Sequence, residues 1–284
     1  MKPAFLLMAS VQPAVKYYVP KAKSTIAIMI HPTALIDPGA ELADDVEVGA
    51  FSIIDAKVRI DAGTRIGPHA VLTGRTTIGK NNHIFQFTSI GEQPQDMKYA
   101  GEDTELIIGD NNTVRELCTF SRGSMQGGGV TRIGSNNWIM ACVHIAHDCI
   151  LGDNIIMANN ASLAGHVTIG DHAILSGYSL IHQFCSVGEH SFTSFASHVN
   201  QSIPPYVTVA GEKARVKGIN SEGLKRRGFT PDQINQVRRA YKALYREGLS
   251  LEDATARLAE MANKSPEIQP LVDFLNSADR GIIR

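Results

Sequence analysis

Residues 46–67 read VEVGAFSIIDAKVRIDAGTRIG, and Val48, Ile54, Ile60 and Ile66 stand six apart within them. The same spacing runs backward through Leu42, Ile36 and Ile30, and forward through Leu72, Ile78, Ile84 and Ile90 without a miss. It resumes at Ile108, Val114 and Phe120, then at Ile133, and continues every sixth residue to Val199, with Thr193 the one lapse. The residue after the aliphatic is often glycine (Gly49, Gly67, Gly79, Gly134, Gly152, Gly170), and the fourth is usually small or β-branched (Ala34, Ser52, Thr64, Ala70, Thr88). A period of six suits neither a helix nor an amphipathic hairpin. It suits short strands joined by tight turns and wound as a coil, with the aliphatic pointing inward. Glycine is expected to supply backbone angles that a Cβ would forbid. Each coil then hydrogen-bonds to its neighbours as a parallel β-helix.

Outside the repeat the chain is less regular. Residues 92–107 and 121–132 interrupt the hexads, and the second interruption shifts the register. Loops on a rigid scaffold often carry function. After Pro204-Pro205 the hexads are expected to stop. Thr230-Pro231-Asp232-Gln233 and Ser250-Leu251-Glu252-Asp253 read as capping boxes, predicting helices to about Glu247 and Asn263, and Ser265-Pro266 opens a third helix closing near Gly281. These helices would blunt the open end of the coil. The expected organisation is an extension over 1–28, disordered or not part of the true chain start, a β-helix over 29–210 and a helical domain over 211–284. The apolar stretch Ala4–Val15 is broken by Gln12 and Pro13, making a poor signal peptide.

Composition removes several functions. Lys plus Arg total 27 and Asp plus Glu 28 in 284 residues, a balance unlike that of proteins that coat nucleic acid. No apolar run approaches the roughly 20 residues of a membrane span. Cys118, Cys142, Cys149 and Cys185 form no C-x-x-C pair, which argues against a disulfide scaffold or zinc knuckle and for a reducing compartment. The local exception is 213–246, where ten basic residues face only Glu222 and Asp232. That density favours an anionic partner, either a pyrophosphate gripped by arginine forks or an acidic carrier protein.

Four histidines stand out: His144, His147, His166 and His182. If a coil takes three hexads, the steps from 147 to 166 and from 166 to 182 are close to one coil, so these side chains stack on one side. His172 and His190 share such a step but lie in turns and read as exposed. Three readings of the belt compete: structural histidines, a zinc site of three stacked ligands, and a general base oriented by an acid, for which Asp148 is adjacent to His147.

The hexads resemble those of the left-handed β-helix acyltransferases. His144-Ile145-Ala146-His147-Asp148-Cys149, Leu163-Ala164-Gly165-His166-Val167, Ile181-His182-Gln183-Phe184-Cys185, Gln95-Asp96-Met97-Lys98-Tyr99, Gln126-Gly127-Gly128-Gly129 and Asn220-Ser221-Glu222-Gly223-Leu224-Lys225-Arg226-Arg227 together resemble the UDP-N-acetylglucosamine O-acyltransferase family, which catalyses the first step of lipid A biosynthesis. The likeness runs from about residue 29 to Arg284. It implies the left hand of the coil, against the usual crossover rule. It also implies transfer of an (R)-3-hydroxyacyl chain from acyl carrier protein to the sugar 3-hydroxyl. His147 would be the base, Asp148 its orienting acid, and the Gly165 N–H the oxyanion donor. Asp96, Lys98, His144, His166, His182 and Gln183 would line the sugar and pyrophosphate site, and Asn220, Glu222, Arg226 and Arg227 would hold the nucleotide. A homotrimer with sites between subunits, a cytoplasmic Gram-negative setting, and no metal or organic cofactor are implied.

Two departures matter. Ser121 stands where the family usually has histidine. Phe195, with Phe192 nearby, stands where a glycine commonly floors the acyl tunnel, which predicts a shorter tunnel and a medium-length donor. The sister N-acyltransferase would need an N-terminal uridine-binding domain, for which a repeat starting at Ile30 leaves no room. The remaining alternatives are a non-catalytic β-helix scaffold binding an acidic partner and a zinc-dependent hydratase on the same fold.

Overall fold

Each hexad becomes a strand of two to four residues that ends on, or within two residues past, its aliphatic, followed by a turn. The computed structural model describes residues 29–278 and 280–284, so the reading of 1–28 lies outside the described residues. Leu35 pairs with Ile53 and Ile53 with Val71, all in parallel, which sets 18 residues per coil. Three hexads thus close one triangular turn of a left-handed parallel β-helix. Its first face runs from Leu35–Ile36 to His198–Val199, its second from Glu41–Leu42 to Ser186–Val187, and its third from Glu47–Val48 to Phe192–Thr193 and on through Val207–Ala210.

The hexad aliphatics fill the interior: Ile54, Leu72, Ile84, Ile139, Ile145 and Leu163 are all buried. The small fourth residues are buried beside them. Ser52 Oγ and Thr64 Oγ1 donate to the carbonyls of Gly67 and Gly79 at 2.7 and 2.8 Å, so their hydroxyls carry no desolvation penalty unpaired. Cys118, Cys149 and Cys185 hold this same position as free thiols. Asn82, Asn112 and Asn137 form a ladder there instead, in which Asn112 N donates to Asn82 Oδ1 and Asn137 N to Asn112 Oδ1, each at 2.9 Å.

The glycines do something other than expected. Most of those after the aliphatic are not in the left-handed region. A Cβ on Gly49 would lie 2.5 Å from Pro68 N, and one on Gly67 2.7 Å from Gln86 N. They are needed for close approach of successive coils. The left-handed corner positions are held mostly by other residues, among them Asp148, His166 and Phe184 at φ 60°, 62° and 63°. Such a residue costs about 1 kcal/mol. The cost is offset because its N–H reaches back one coil, as His166 N does to His147 O at 3.0 Å.

The interruptions are shorter than the hexads suggested. Residues 93–104 lie between Ser89–Glu92 and Glu105–Ile108, and 122–129 between Thr119–Ser121 and Val130–Ile133. The flanking strands lengthen to four residues because Arg75, Glu105 and Val130 pair in register. The coil also outlasts Pro205: Thr208 still pairs in parallel with Phe192 before Arg215–Ile219 folds back antiparallel.

Four helices follow: α1 (Ser221–Arg226), α2 (Pro231–Tyr245), α3 (Leu251–Ala262) and α4 (Gln269–Ser277). The capping box of Thr230 and Gln233 forms in full, and Ser250 accepts from Asp253 N. Pro266–Ile268 is a 3₁₀ turn leading into α4, which ends before Gly281. Ile283, Tyr241 and Tyr245 pack against the interior of the coil and close its end. Among the described residues no helix is long and apolar enough to cross a membrane.

His172 and His190 are not exposed as the sequence suggested. Their rings stack 4.7 Å apart, and His190 stacks on Tyr206 at 5.8 Å. Burial, with His172 and Arg227 nearby, lowers His190 to about 4. The unfolded chain takes up this proton near pH 6.5 and the folded chain does not. Stability is therefore fully present above pH 6.5 and is lost as pH falls toward 4. The melting temperature of the parent is expected to drop between pH 7 and 5, and His190→Phe to flatten that slope. An unchanged slope in the variant would exclude His190 as a source of it.

Candidate active site

The corner between the first and second faces gathers the chemistry. Five consecutive coils contribute to it: the excursions 93–104 and 122–129, then the turns that follow Ile145, Leu163 and Ile181. With an 18-residue step, His147 lies over Gly165 and Gln183, and Asp148 lies over His166 and Phe184. The His166 ring is edge-on to His147 at 5.1 Å and stacked on Phe184 at 4.5 Å.

His147 Nδ1 is 2.7 Å from Asp148 Oδ2. An ionised carboxylate only accepts, so Nδ1 carries the hydrogen and Nε2 keeps its lone pair. Asp148 is buried, and its charge is held by Ser124 N at 2.7 Å and Ser124 Oγ at 2.6 Å. The free face of His147 looks toward Gly165, where a Cβ would lie 2.8 Å from Nε2. The Gly165 N–H has no acceptor among the described residues. A base nitrogen and an unused amide donor therefore border one small space left clear by a glycine, a geometry suited to acyl transfer.

A cleft of about 950 Å³ opens here, lined by His147, His166, Gln183, Asp96 and Lys98 together with Gln95, Met97, Gln126 and Phe184. Arg122 ties the two excursions together, donating to Gly91 O at 2.6 Å and Tyr99 Oη at 3.1 Å. His144 sits one strand earlier and shares a hydrogen with Thr119 Oγ1 at 2.7 Å. Burial holds His144 and His166 below the ordinary histidine range, in the case of His166 against the raising effect of Asp148. His182 is exposed at the edge of the corner. Ser121 is buried at the end of its strand.

His147, Asp148 and His166 offer donor atoms within 4.8 Å of one another, the one set among the described residues able to close on a cation. Asp148 Oδ2 already has two partners at hydrogen-bond distance, and His166 Nε2 stands 3.6 Å from it.

The other sequence candidates lie elsewhere on the chain. Glu222, Arg226, Arg227 and Asn220 border a cleft of about 510 Å³ on the third face with Phe192 and Thr208. The Asn220 side chain caps α1, accepting from Gly223 N and donating to His190 O. Glu222 pairs with Lys225 at 2.8 Å, which lowers its carboxyl below the usual range. Phe195 is exposed at the corner between third and first faces, edge-on to Tyr178. Within one chain neither Phe192 nor Phe195 borders the His147 cleft. Sequence reasoning missed α1 as a helix and missed Ser124, and it placed Gln126 and Phe184 within motifs without giving either a role in the site. The 18-residue step from His166 would have found Phe184.

A coil of hexads with an acid-paired histidine over a glycine defines a hexapeptide-repeat acyltransferase. The family model described as bacterial transferase hexapeptide matches residues 131–165, and that described as UDP-N-acetylglucosamine O-acyltransferase, domain 2, matches 203–283. The acyl-[acyl-carrier-protein]–UDP-N-acetylglucosamine O-acyltransferase of Thiobacillus denitrificans is 60% identical over 90% of this chain and 99% of its own length, and that of Herminiimonas arsenicoxydans 56% over 90% and 99%. Among solved structures, LpxA of Acinetobacter baumannii superposes with a TM-score of 0.88 at 47% identity, covering 90% of this chain and all of that one. The Francisella novicida UDP-N-acetylglucosamine acyltransferase gives 0.89 at 43%, covering 90% and 94%. The chain belongs to the UDP-N-acetylglucosamine O-acyltransferase family.

Proposed function

We propose that this protein transfers an (R)-3-hydroxyacyl chain from acyl carrier protein to the 3-hydroxyl of UDP-N-acetylglucosamine, the opening step of lipid A synthesis. Family membership supports the reaction, and neither the scaffold nor the zinc hydratase draws support from the relatives. The observation that carries the chemistry is His147, with Nδ1 committed to Asp148 and Nε2 facing the space beside Gly165.

His147 Nε2 removes the proton of the sugar hydroxyl as that oxygen attacks the thioester carbonyl carbon. The Gly165 N–H holds the resulting oxyanion. Collapse breaks the carbon–sulfur bond, and the imidazolium returns its proton to the departing thiolate. Asp148 stabilises the imidazolium throughout. Asp96, Lys98, His166, Gln183 and, at the rim, His144 and His182 hold the sugar and pyrophosphate. Asn220, Glu222, Arg226 and Arg227 hold the nucleotide, with Asn220 acting mainly by capping α1. Their place on another face than His147 favours a site completed between copies in a homotrimer. The organisation into a coil to about residue 210 and a helical unit after it, and a cytoplasmic setting, belong to the same reading.

Phe195 and Phe192 shorten the acyl tunnel in this reading. Mixed with UDP-N-acetylglucosamine and a panel of 3-hydroxyacyl carrier proteins, the parent is expected to prefer a medium-length donor and Phe195→Gly a longer one. Transfer with no change of preference would remove Phe195 as the ruler. No transfer from any donor to the hydroxyl sugar would overturn the reaction itself.

A further inference from the structure

The second excursion has a task beyond roofing the cleft. Asp148 Oδ2 faces two imidazoles, with His147 Nδ1 at 2.7 Å and His166 Nε2 at 3.6 Å. Rotation of the carboxylate could exchange one for the other. Ser124 grips both oxygens at once, its amide on Oδ1 at 2.7 Å and its hydroxyl on Oδ2 at 2.6 Å. It does so from full burial, where charge-assisted bonds are strong and water does not replace them. The anchor is backed on two sides. Asp148 N donates to Thr131 Oγ1 at 2.8 Å. Gly127 closes the other side, where a Cβ would stand 2.0 Å from the Asp148 carboxyl carbon.

We infer that Ser124 is a positioning residue for the transfer reaction: its two-point grip sets the rotation of the Asp148 carboxylate and so commits it to His147 Nδ1 rather than to His166. The inference rests on His147 acting as base. Removing the hydroxyl leaves the amide as the single tether, lets Oδ2 turn toward His166, and loosens the tautomer that keeps Nε2 free. Ser124 borders neither cleft, so its loss acts on turnover and not on substrate affinity.

The test compares the parent, Ser124→Ala and Ser124→Thr in the full-length protein by steady-state transfer assay and by proton NMR of the imidazole N–H on ¹⁵N-histidine-labelled protein. Ser124→Ala is expected to lower kcat about 10- to 100-fold, the range for one hydrogen bond to a charged group. The KM for UDP-N-acetylglucosamine should stay within a factor of about two, as for a group that binds no ground-state substrate. Ser124→Thr restores the hydroxyl and most of kcat. The NMR signal of the His147 Nδ1–H, present in the parent, broadens or shifts in Ser124→Ala and returns in Ser124→Thr. An active parent with unchanged kcat in Ser124→Ala, or a loss that Ser124→Thr shares, overturns the role of Ser124. Should the alanine variant fold poorly, a His147 signal in Ser124→Thr unlike that of the parent does the same. An inactive parent instead overturns the reading of the reaction, and the NMR comparison still decides the grip.

Discussion

His147→Ala is expected to lower kcat by about 10²- to 10⁴-fold, the range for loss of a positioned general base. The fold should be untouched. His147 lies in a corner turn and its side chain stays partly exposed, so the variant loses no core contact. The informative measurement is kcat beside the melting temperature, with Asp148→Asn in parallel. That second change leaves a base in place but offers Nδ1 an amide that can present its nitrogen, so its loss should be large but smaller than that of His147→Ala. A His147→Ala enzyme within threefold of the parent would mean that another group takes the proton.

Gly165→Ala comes next in size. The added methyl would lie 2.6 Å from His147 Cε1 and 2.8 Å from Nε2, closer than real Cβ atoms come to anything. Either the imidazole swings aside or the corner opens. The alanine keeps the amide N–H, so the loss isolates the space itself. A fall in kcat on the order of 10²- to 10³-fold is expected, comparable with losing an oxyanion donor. Gly218→Ala is the control, since its methyl would meet nothing within 4 Å and lies away from this corner. Should Gly165→Ala keep most of its activity, the acceptor oxygen does not occupy this space.

Much of this was legible in the order of residues. One period gave the coil, its 18-residue turn and the inward aliphatics, because a repeat whose units contact only their neighbours writes its geometry locally. The same step places His147 over Gly165 and Asp148 over His166. What the step could not reach lies across the insertions. Ser124 and Asp148 are 24 apart, a separation set by an excursion and not by the coil. Asn220 reads as a binding residue, and its side chain also caps α1, a second use that the sequence did not bring out because one amide side chain serves both. The corner glycines were assigned the wrong task because backbone angle and close approach leave the same letter behind.

The 18-residue step also constrains how such a gene can change. A deletion of six residues between Val130 and Ile145 would keep every aliphatic inside, yet carry all downstream turns round to a neighbouring corner. His147 and Gly165 would then leave the corner from which residues 93–104 and 122–129 emerge. Only losses or gains of whole turns preserve the alignment, much as only triplets preserve a reading frame. Length at the corner itself is exempt, because an excursion returns the chain to the next strand whatever its own size. Inheritance can therefore remodel the roof of the site freely while its floor stays locked in phase.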